Sequence, residues 1–156
     1  MNDYTPTYIL TWNPKKYNWC TFGTIAYTNR VSGYKHETDW SCRSKKPKKG
    51  DKFIMLLQGM GERNGVVGWG RFTSEPYELG NETVFGSRFI NILFYEMWNY
   101  QTDDYVKTSQ LKELFPEQCF SPQFSGMKVK ASILPELWRL IEGSRGNGLK
   151  DCSNGF

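Results

Sequence analysis

The chain has 156 residues, which is enough for one domain with its own core and too few for two ordinary domains. One histidine, four cysteines far apart in sequence and a net charge of only +4 argue against zinc-ligand pairs, redox pairs and histidine-pair catalysis, so we expect no metal and no cofactor. The first ten residues lack a basic start followed by an apolar run, and no stretch has the roughly 18 apolar residues that span a bilayer, so we expect a cytoplasmic protein that does not contact membranes.

The first predicted element is a strand over residues 7–12 (TYILTW), which are rich in β-branched and aromatic side chains. Asn13-Pro14 ends this strand, because the residue before a proline is restricted and proline lacks a backbone donor. A short helix around Thr21 to Thr28 follows.

Three further strands are predicted along the middle of the chain. Residues 52–57 (KFIMLL) are almost wholly apolar, as in a central strand covered on both faces. Residues 65–72 combine β-formers with glycines that allow a strand to bulge and curl. Residues 88–98 are dense in β-formers and predict a third long strand beside these two.

Two helices are predicted after the strands. Thr108 or Ser109 caps a short helix that Pro116 halts. A closing helix is indicated by apolar residues at helical spacing, with Pro135 early in the helix and Gly143 as its C-cap; these apolar residues are Leu134, Leu137, Trp138 and Ile141. We therefore expect one domain over residues 1–143 and a flexible tail over 144–156.

Several short motifs have simpler explanations than catalysis. The glycine-rich residues 59–65 lack the spacing of a phosphate-binding loop and predict a hairpin loop. His36 has no partner that would make it a general base, and we interpret it as a half-exposed residue ahead of a strand. Trp69, Trp98 and Trp138 are assigned to the core.

Aromatic and basic residues are placed close together in the sequence. The chain has ten Phe, nine Tyr and six Trp, and residues 43–52 contain six basic residues against one acid. Trp40-Ser41 immediately precede this basic run, and residues 14–19 repeat the mixture of rings and cations. Rings that stack on bases and cations that contact phosphates are typical of nucleic-acid binding.

In this order and spacing the segments resemble the EVE domain of the PUA-like superfamily. The resemblance rests on residues 9–16 (ILTWNPKK) with Trp19, Trp40-Ser41, residues 49–59 (KGDKFIMLLQG), 65–70 (GVVGWG), 75–77 (EPY) and 120–129 (FSPQFSGMKV). It implies an α+β fold: a PUA-like mixed β pseudo-barrel of about five to six strands, with short helices at the rim and a C-terminal helix packed on the barrel.

The resemblance also implies a non-catalytic reader of a modified base, such as methylated or hydroxymethylated cytosine or N6-methyladenine, in DNA or RNA. The base would be flipped out and recognised by shape and hydrogen bonding. The expected base pocket is Trp12, Asn13, Trp40, Ser41 and Gln58, with Tyr17 and Trp19 as further stacking residues. Phosphates would be held by Lys15, Lys16, Arg43, Lys45 and Lys46. A separate nuclease or ATPase subunit is an expected partner.

Two alternatives stay open on sequence grounds. Some PUA-like relatives are small hydrolases that act on modified nucleosides with lysine, threonine and a carboxylate, and Thr11, Lys15 or Lys16, and Glu37 supply those residue types. A plain protein-interaction module with a solvated lysine loop is the other. It predicts weak nucleic-acid binding that does not depend on modification.

Overall fold

The computed structural model describes residues 5–83 and 86–154. In these ranges the chain forms an α+β fold, as predicted, with single 3-10 turns at Gly61–Arg63 and Ala131–Ile133. The strands and helices are, in chain order, β1 (Thr7–Trp12), α1 (Phe22–Ser32), β2 (His36–Ser41), β3 (Lys52–Leu57), β4 (Gly65–Phe72), β5 (Tyr77–Thr83), β6 (Gly86–Met97), α2 (Thr108–Leu114), β7 (Met127–Lys128) and α3 (Leu134–Asn154).

The strands form one mixed sheet in the order β2-β6-β4-β3-β1-β7, with β5 paired to β6 outside this path. β1 and β3 are parallel, and the other pairs are antiparallel. Every residue of β3 is buried, as expected for a central strand covered on both faces. The sheet stays open between β2 and β7, which agrees with the predicted PUA-like pseudo-barrel.

At two glycines, the backbone of β4 lies so close to residues of β6 that a side chain would not fit. A Cβ added to Gly70 would lie 1.8 Å from the Leu93 carbonyl oxygen, and one added to Gly68 would lie 2.6 Å from the Phe94 ring. The pairing register of β4 shifts between Trp69 and Gly70. The predicted curling strand is therefore present, and its glycines make the curl possible.

The two shorter helices differ from the prediction at their ends. α1 continues to Ser32 and stops where Gly33 adopts a left-handed φ of 75°. The N-cap of α2 is Lys107, which makes no side-chain capping bond, so the predicted cap at Thr108 or Ser109 is wrong. The threonine instead lies inside the first turn and is buried there.

α3 buries the predicted apolar face: Leu134, Leu137, Trp138 and Ile141 are all in the core. The indole of Trp138 packs edge-on against Trp69, with 5.2 Å between ring centres. The helix continues through Gly143 to Asn154, so the predicted C-cap is wrong, since Gly143 lacks the positive φ of a glycine cap. The flexibility expected of 144–156 stays a prediction, and residues 155 and 156 lie outside the described residues.

Three strands, β2, β5 and β7, are not predicted from the sequence, and with them the described residues form seven strands. Trp40 accordingly lies inside an edge strand instead of beside a loop, and His36 is the first residue of that strand. None of the helices described combines the length and the apolar character that crossing a bilayer requires.

Candidate functional site

A cleft of about 520 Å³, here called the β2 cleft, lies between the edge strand β2 and the segments that follow β1 and precede β7. The structure brings together at this cleft all five residues predicted for the base pocket: Trp12, Asn13, Trp40, Ser41 and Gln58. Three other predicted site residues also line it, namely Lys16, Tyr17 and Arg43. Its volume is within the range of small-ligand pockets.

Hydrogen bonds brace the cleft across the open side of the sheet. The Trp40 indole N–H donates to the Thr11 carbonyl oxygen at 3.0 Å, and the Thr11 backbone N–H donates to Ser125 Oγ at 2.9 Å. The Arg43 backbone N–H donates to the Ser125 carbonyl oxygen at 2.9 Å. These bonds link β2 to β1 and to the segment before β7, so the cleft is formed before any ligand arrives.

Four rings supply the accessible aromatic surface of the β2 cleft, one of them the half-buried Phe89 of β6. Tyr17 and Phe124 are exposed, and Trp40 is half-buried. The Tyr17 ring stands edge-on to Trp40 at 5.6 Å, and Trp19 lies 5.5 Å from Trp40 on a tilted plane. Trp40 is thus held in place by other rings as well as by its indole hydrogen bond.

Trp12 does not offer a ring face, although it was expected as a pocket wall. Its side chain is only 2% exposed, and its ring packs against Trp19, Phe22 and Tyr100 at 4.7–5.7 Å between ring centres. Its indole N–H donates to the Tyr17 carbonyl oxygen. Trp12 therefore forms the floor under the cleft and is too deeply buried to stack on a base.

Three carboxamides line the cleft, those of Asn13, Gln58 and the exposed Gln123, and the first two have different atoms engaged. The Gln58 side-chain NH₂ donates to the Pro122 carbonyl oxygen at 3.0 Å, which leaves the amide oxygen of Gln58 to accept from a ligand. The Asn13 side-chain oxygen accepts from the Lys15 backbone N–H at 3.0 Å, which leaves the NH₂ of Asn13 to donate. Together they provide an acceptor and a donor, as a base edge requires.

The predicted phosphate-binding residues fall into two groups. Lys16 and Arg43 line the cleft, and the Arg43 guanidinium lies 5.2 Å from the centre of the Phe124 ring. Lys15, Lys45 and Lys46 are exposed and do not line it. One carboxylate, that of Asp39, also lines the cleft.

Phe124 and Ser125 are site residues that the sequence does not predict, although both lie in the late segment on which the EVE resemblance partly rests. The signal that could have found them is Gly126, which has a φ of +114°. A Cβ at this position would lie 2.9 Å from the backbone nitrogen of Ser44. Only glycine allows this close approach, which places Phe124 and Ser125 beside the end of β2.

Of the residues named for a hydrolase, Glu37 is not brought to the β2 cleft, where the carboxylate beside Thr11 and Lys16 is that of Asp39. Thr11 and Lys16 line the β2 cleft, whereas Glu37 accepts from the Thr73 hydroxyl at 3.1 Å and does not line it.

Burial lowers the pKa of His36, whose Nδ1 lies 3.3 Å from the Tyr34 hydroxyl. Burial has the opposite effect on the Cys42 thiol, whose pKa it raises because the charged form is the thiolate.

Trp19, expected as a further stacking residue, lines a different cleft on the other side of the loop 13–20. We call this second cavity the α1 cleft, because the first turns of α1 form one of its walls. The two cavities are thus separated by one loop.

Neither a family model nor a curated protein matches this chain. Several solved structures share its fold. A hypothetical protein from Leishmania major is 16% identical, with a TM-score of 0.61 over 89% of this chain and 96% of that one. A protein from Pseudomonas syringae is 16% identical, with a TM-score of 0.56 over 89% and 99%, and one from Rhodopseudomonas palustris is 12% identical, with a TM-score of 0.53 over 90% and 93%. At these identities the likeness shows that the chain shares a fold with these proteins.

Proposed function

We propose that the β2 cleft binds a single nucleobase that has been flipped out of a nucleic-acid strand, and that the protein is a non-catalytic reader of a small base modification. One observation carries this proposal: accessible rings, three carboxamides and two cations surround one cleft of about 520 Å³. Rings stack on the base, carboxamides read its edge and cations hold the flanking phosphates.

The energetics favour a braced cleft of this kind. Unstacking a base costs a few kcal/mol, and stacking on an aromatic side chain returns about 1–3 kcal/mol per base. Because Trp40 is already fixed by its bond to the Thr11 carbonyl oxygen and by two neighbouring rings, little side-chain entropy is lost on binding. Phosphate contacts from Lys16 and Arg43 add affinity that depends on salt.

The EVE-like identity belongs to the same proposal. It is supported by the position of the resembling segments, since Trp12-Asn13, Trp40-Ser41, Gln58 and Phe124-Ser125 all line the β2 cleft. A reader of this kind acts on DNA or RNA in the cytoplasm and works with a separate nuclease or ATPase subunit that responds to the bound mark.

The test is a binding panel of single-stranded DNA and RNA oligonucleotides that carry cytosine, 5-methylcytosine, 5-hydroxymethylcytosine, adenine or N6-methyladenine. We expect one modified base to bind tighter than its parent by about 1 kcal/mol or more. Trp40→Ala should cost about 1–3 kcal/mol of binding to that ligand, because it removes a stacking face. Trp40→Phe keeps a ring and should lose less.

The control for this panel is Tyr34→Ala, which removes an exposed ring that does not line either cleft. Circular dichroism and thermal unfolding verify that each variant is folded. Equal affinities for every modified base and its parent would overturn the proposal, as would a folded Trp40→Ala protein that binds like the wild type.

A further inference from the structure

The α1 cleft, of about 550 Å³, has two walls. One is the start of α1, including Thr24 and Tyr27, and the other is the segment 99–101 that follows β6. Among the described residues that line it, none is charged. A charged ligand would therefore find no counter-charge in the lining, whereas a neutral ligand pays no such cost.

The lining combines rings with carboxamides. Tyr27 is 66% exposed, and Trp19 and Tyr100 are half-buried. The carboxamides are those of Asn18, Asn99 and Gln101. Rings and carboxamides together suit a flat, neutral heterocycle with hydrogen-bonding edges, which is the chemistry of a nucleobase.

The two walls are tied to each other. The Arg30 guanidinium on α1 pairs with the Asp103 carboxylate at 2.9 Å, just beyond the segment 99–101. The Tyr100 ring also stands edge-on to Trp12 at 5.7 Å between ring centres. The spacing between the walls is therefore fixed by an ion pair outside the lining and by a ring contact within it.

The α1 cleft and the β2 cleft are neighbours. Trp12 lies beneath both, and the loop 13–20 has Tyr17 facing the β2 cleft and Asn18 facing the α1 cleft. Lys15 and Lys16 are exposed on this same loop. Cations between two ring-lined clefts match the arrangement of a dinucleotide, in which one phosphate joins two bases.

We propose that the α1 cleft binds the base of the nucleotide adjacent to the one held in the β2 cleft, so that the protein recognises a two-base unit of a single strand. This inference rests on the proposed function. Phosphate contact by Lys15 and Lys16 joins the two subsites. The second base provides dependence on the neighbouring nucleotide, which a single base pocket does not supply.

The experiment compares DNA pentanucleotides that carry a central 5-methylcytosine, or the modified base that binds best in the panel above, with versions in which either neighbouring nucleotide is abasic. For the wild type, an abasic site on one side should weaken binding about fivefold or more, because base–ring stacking is lost. Tyr27→Ala and Gln101→Ala should reduce this penalty towards onefold. Tyr34→Ala is the matched control and should keep the full penalty.

The modified mononucleotide alone separates the two proposals. If it binds, and Tyr27→Ala does not change its affinity while removing the abasic penalty, the second subsite is supported. If it binds but neither abasic pentanucleotide is weakened, or the penalty persists in Tyr27→Ala and Gln101→Ala, the second subsite is refuted and the base reader stands. If neither the mononucleotide nor any pentanucleotide binds with a preference for the modified base, the reader fails and this inference with it.

Discussion

Trp40 helps to fix the geometry of the β2 cleft. Its ring contacts Tyr17 and Trp19, and its indole N–H reaches from β2 to the Thr11 carbonyl oxygen on β1. A single side chain therefore forms part of the proposed binding surface and also bridges the open side of the sheet. Trp40→Phe keeps a ring and loses the indole donor, so its comparison with Trp40→Ala distinguishes the two roles.

Gly59 controls the position of Asn13. Its φ is +75°, and an added Cβ would lie 2.6 Å from the Asn13 amide nitrogen. We expect Gly59→Ala to lower the free energy of unfolding by about 1–3 kcal/mol, from backbone strain and displacement of Asn13, and to weaken binding of the modified oligonucleotide. Urea unfolding and the binding panel measure the two effects.

Gly61→Ala is the matched control for Gly59→Ala, because Gly61 also has a positive φ, of +62°, and open space around it. It should show the strain without the loss of binding. If both variants bind alike, Asn13 is not positioned by this contact.

At the residue level, the sequence could not distinguish Trp12 from Trp40. Both tryptophans stand beside polar loops in the chain, and both were expected as pocket walls. Trp12 is at the end of a central strand, where Phe22 from α1 and Tyr100 from the segment after β6 cover it. That cover comes from residues far along the chain, so local patterns carry no information about it.

At the level of elements, predictability follows the position of each strand in the sheet. β1 and β3 are central and buried, so their own residues are apolar and β-branched enough to indicate a strand. β2 (HETDWS) is an edge strand of mostly polar residues, and it is a strand because it pairs with six residues of β6. β7 has only two residues, and pairing with β1 defines it.

Asn29 joins the helix α1 to the sheet through its side chain. Its side-chain NH₂ donates to the carbonyl oxygens of Tyr34 and Tyr95 at 2.7 and 2.8 Å, and its oxygen accepts from the Met97 backbone N–H at 3.1 Å. Asn29→Ala leaves these backbone groups without this partner in a buried site. We expect a loss of about 2–3 kcal/mol in the free energy of unfolding, measured by urea denaturation.

Ser32→Ala is the control for Asn29→Ala. Ser32 is exposed on the same helix, and its hydroxyl donates to the Thr28 carbonyl oxygen within the helix, so its loss should change stability by less than about 0.5 kcal/mol. A loss at Asn29→Ala as small as that of the control would contradict the assigned bridging role.

At the level of the whole molecule, the charge distribution should separate affinity from selectivity in the proposed reader. Lys45 and Lys46 are exposed and outside the cleft lining, whereas Lys16 and Arg43 are inside it. In the proposed complex, contacts from outside the lining reach phosphates but not the base. They should therefore strengthen binding to every oligonucleotide equally.

Replacing Lys45 and Lys46 together by alanine tests this separation. We expect weaker binding to modified and unmodified strands by the same factor, and a slope of log affinity against log salt that is shallower by up to about 1.4, since each phosphate contact on a single strand contributes about 0.7. Titrations at several salt concentrations measure both. Lys112→Ala with Lys130→Ala, two exposed lysines that line neither cleft, is the control.

A change in the preference for the modified base in the Lys45 and Lys46 double variant would contradict the separation. It would mean that the basic loop contacts the base itself. An unchanged salt slope would mean that the loop does not contact phosphates.

β1 lies in the interior of the sheet, yet its partners come much later in the chain: Thr7 pairs with Lys52, and Tyr8 with Lys128. A nascent polypeptide leaving the ribosome therefore exposes this apolar strand well before either neighbour has been synthesised. Closing such long loops is slow, and unpaired apolar strands aggregate in the meantime. Production of this protein should consequently benefit from low temperature and chaperones that shield the early segment.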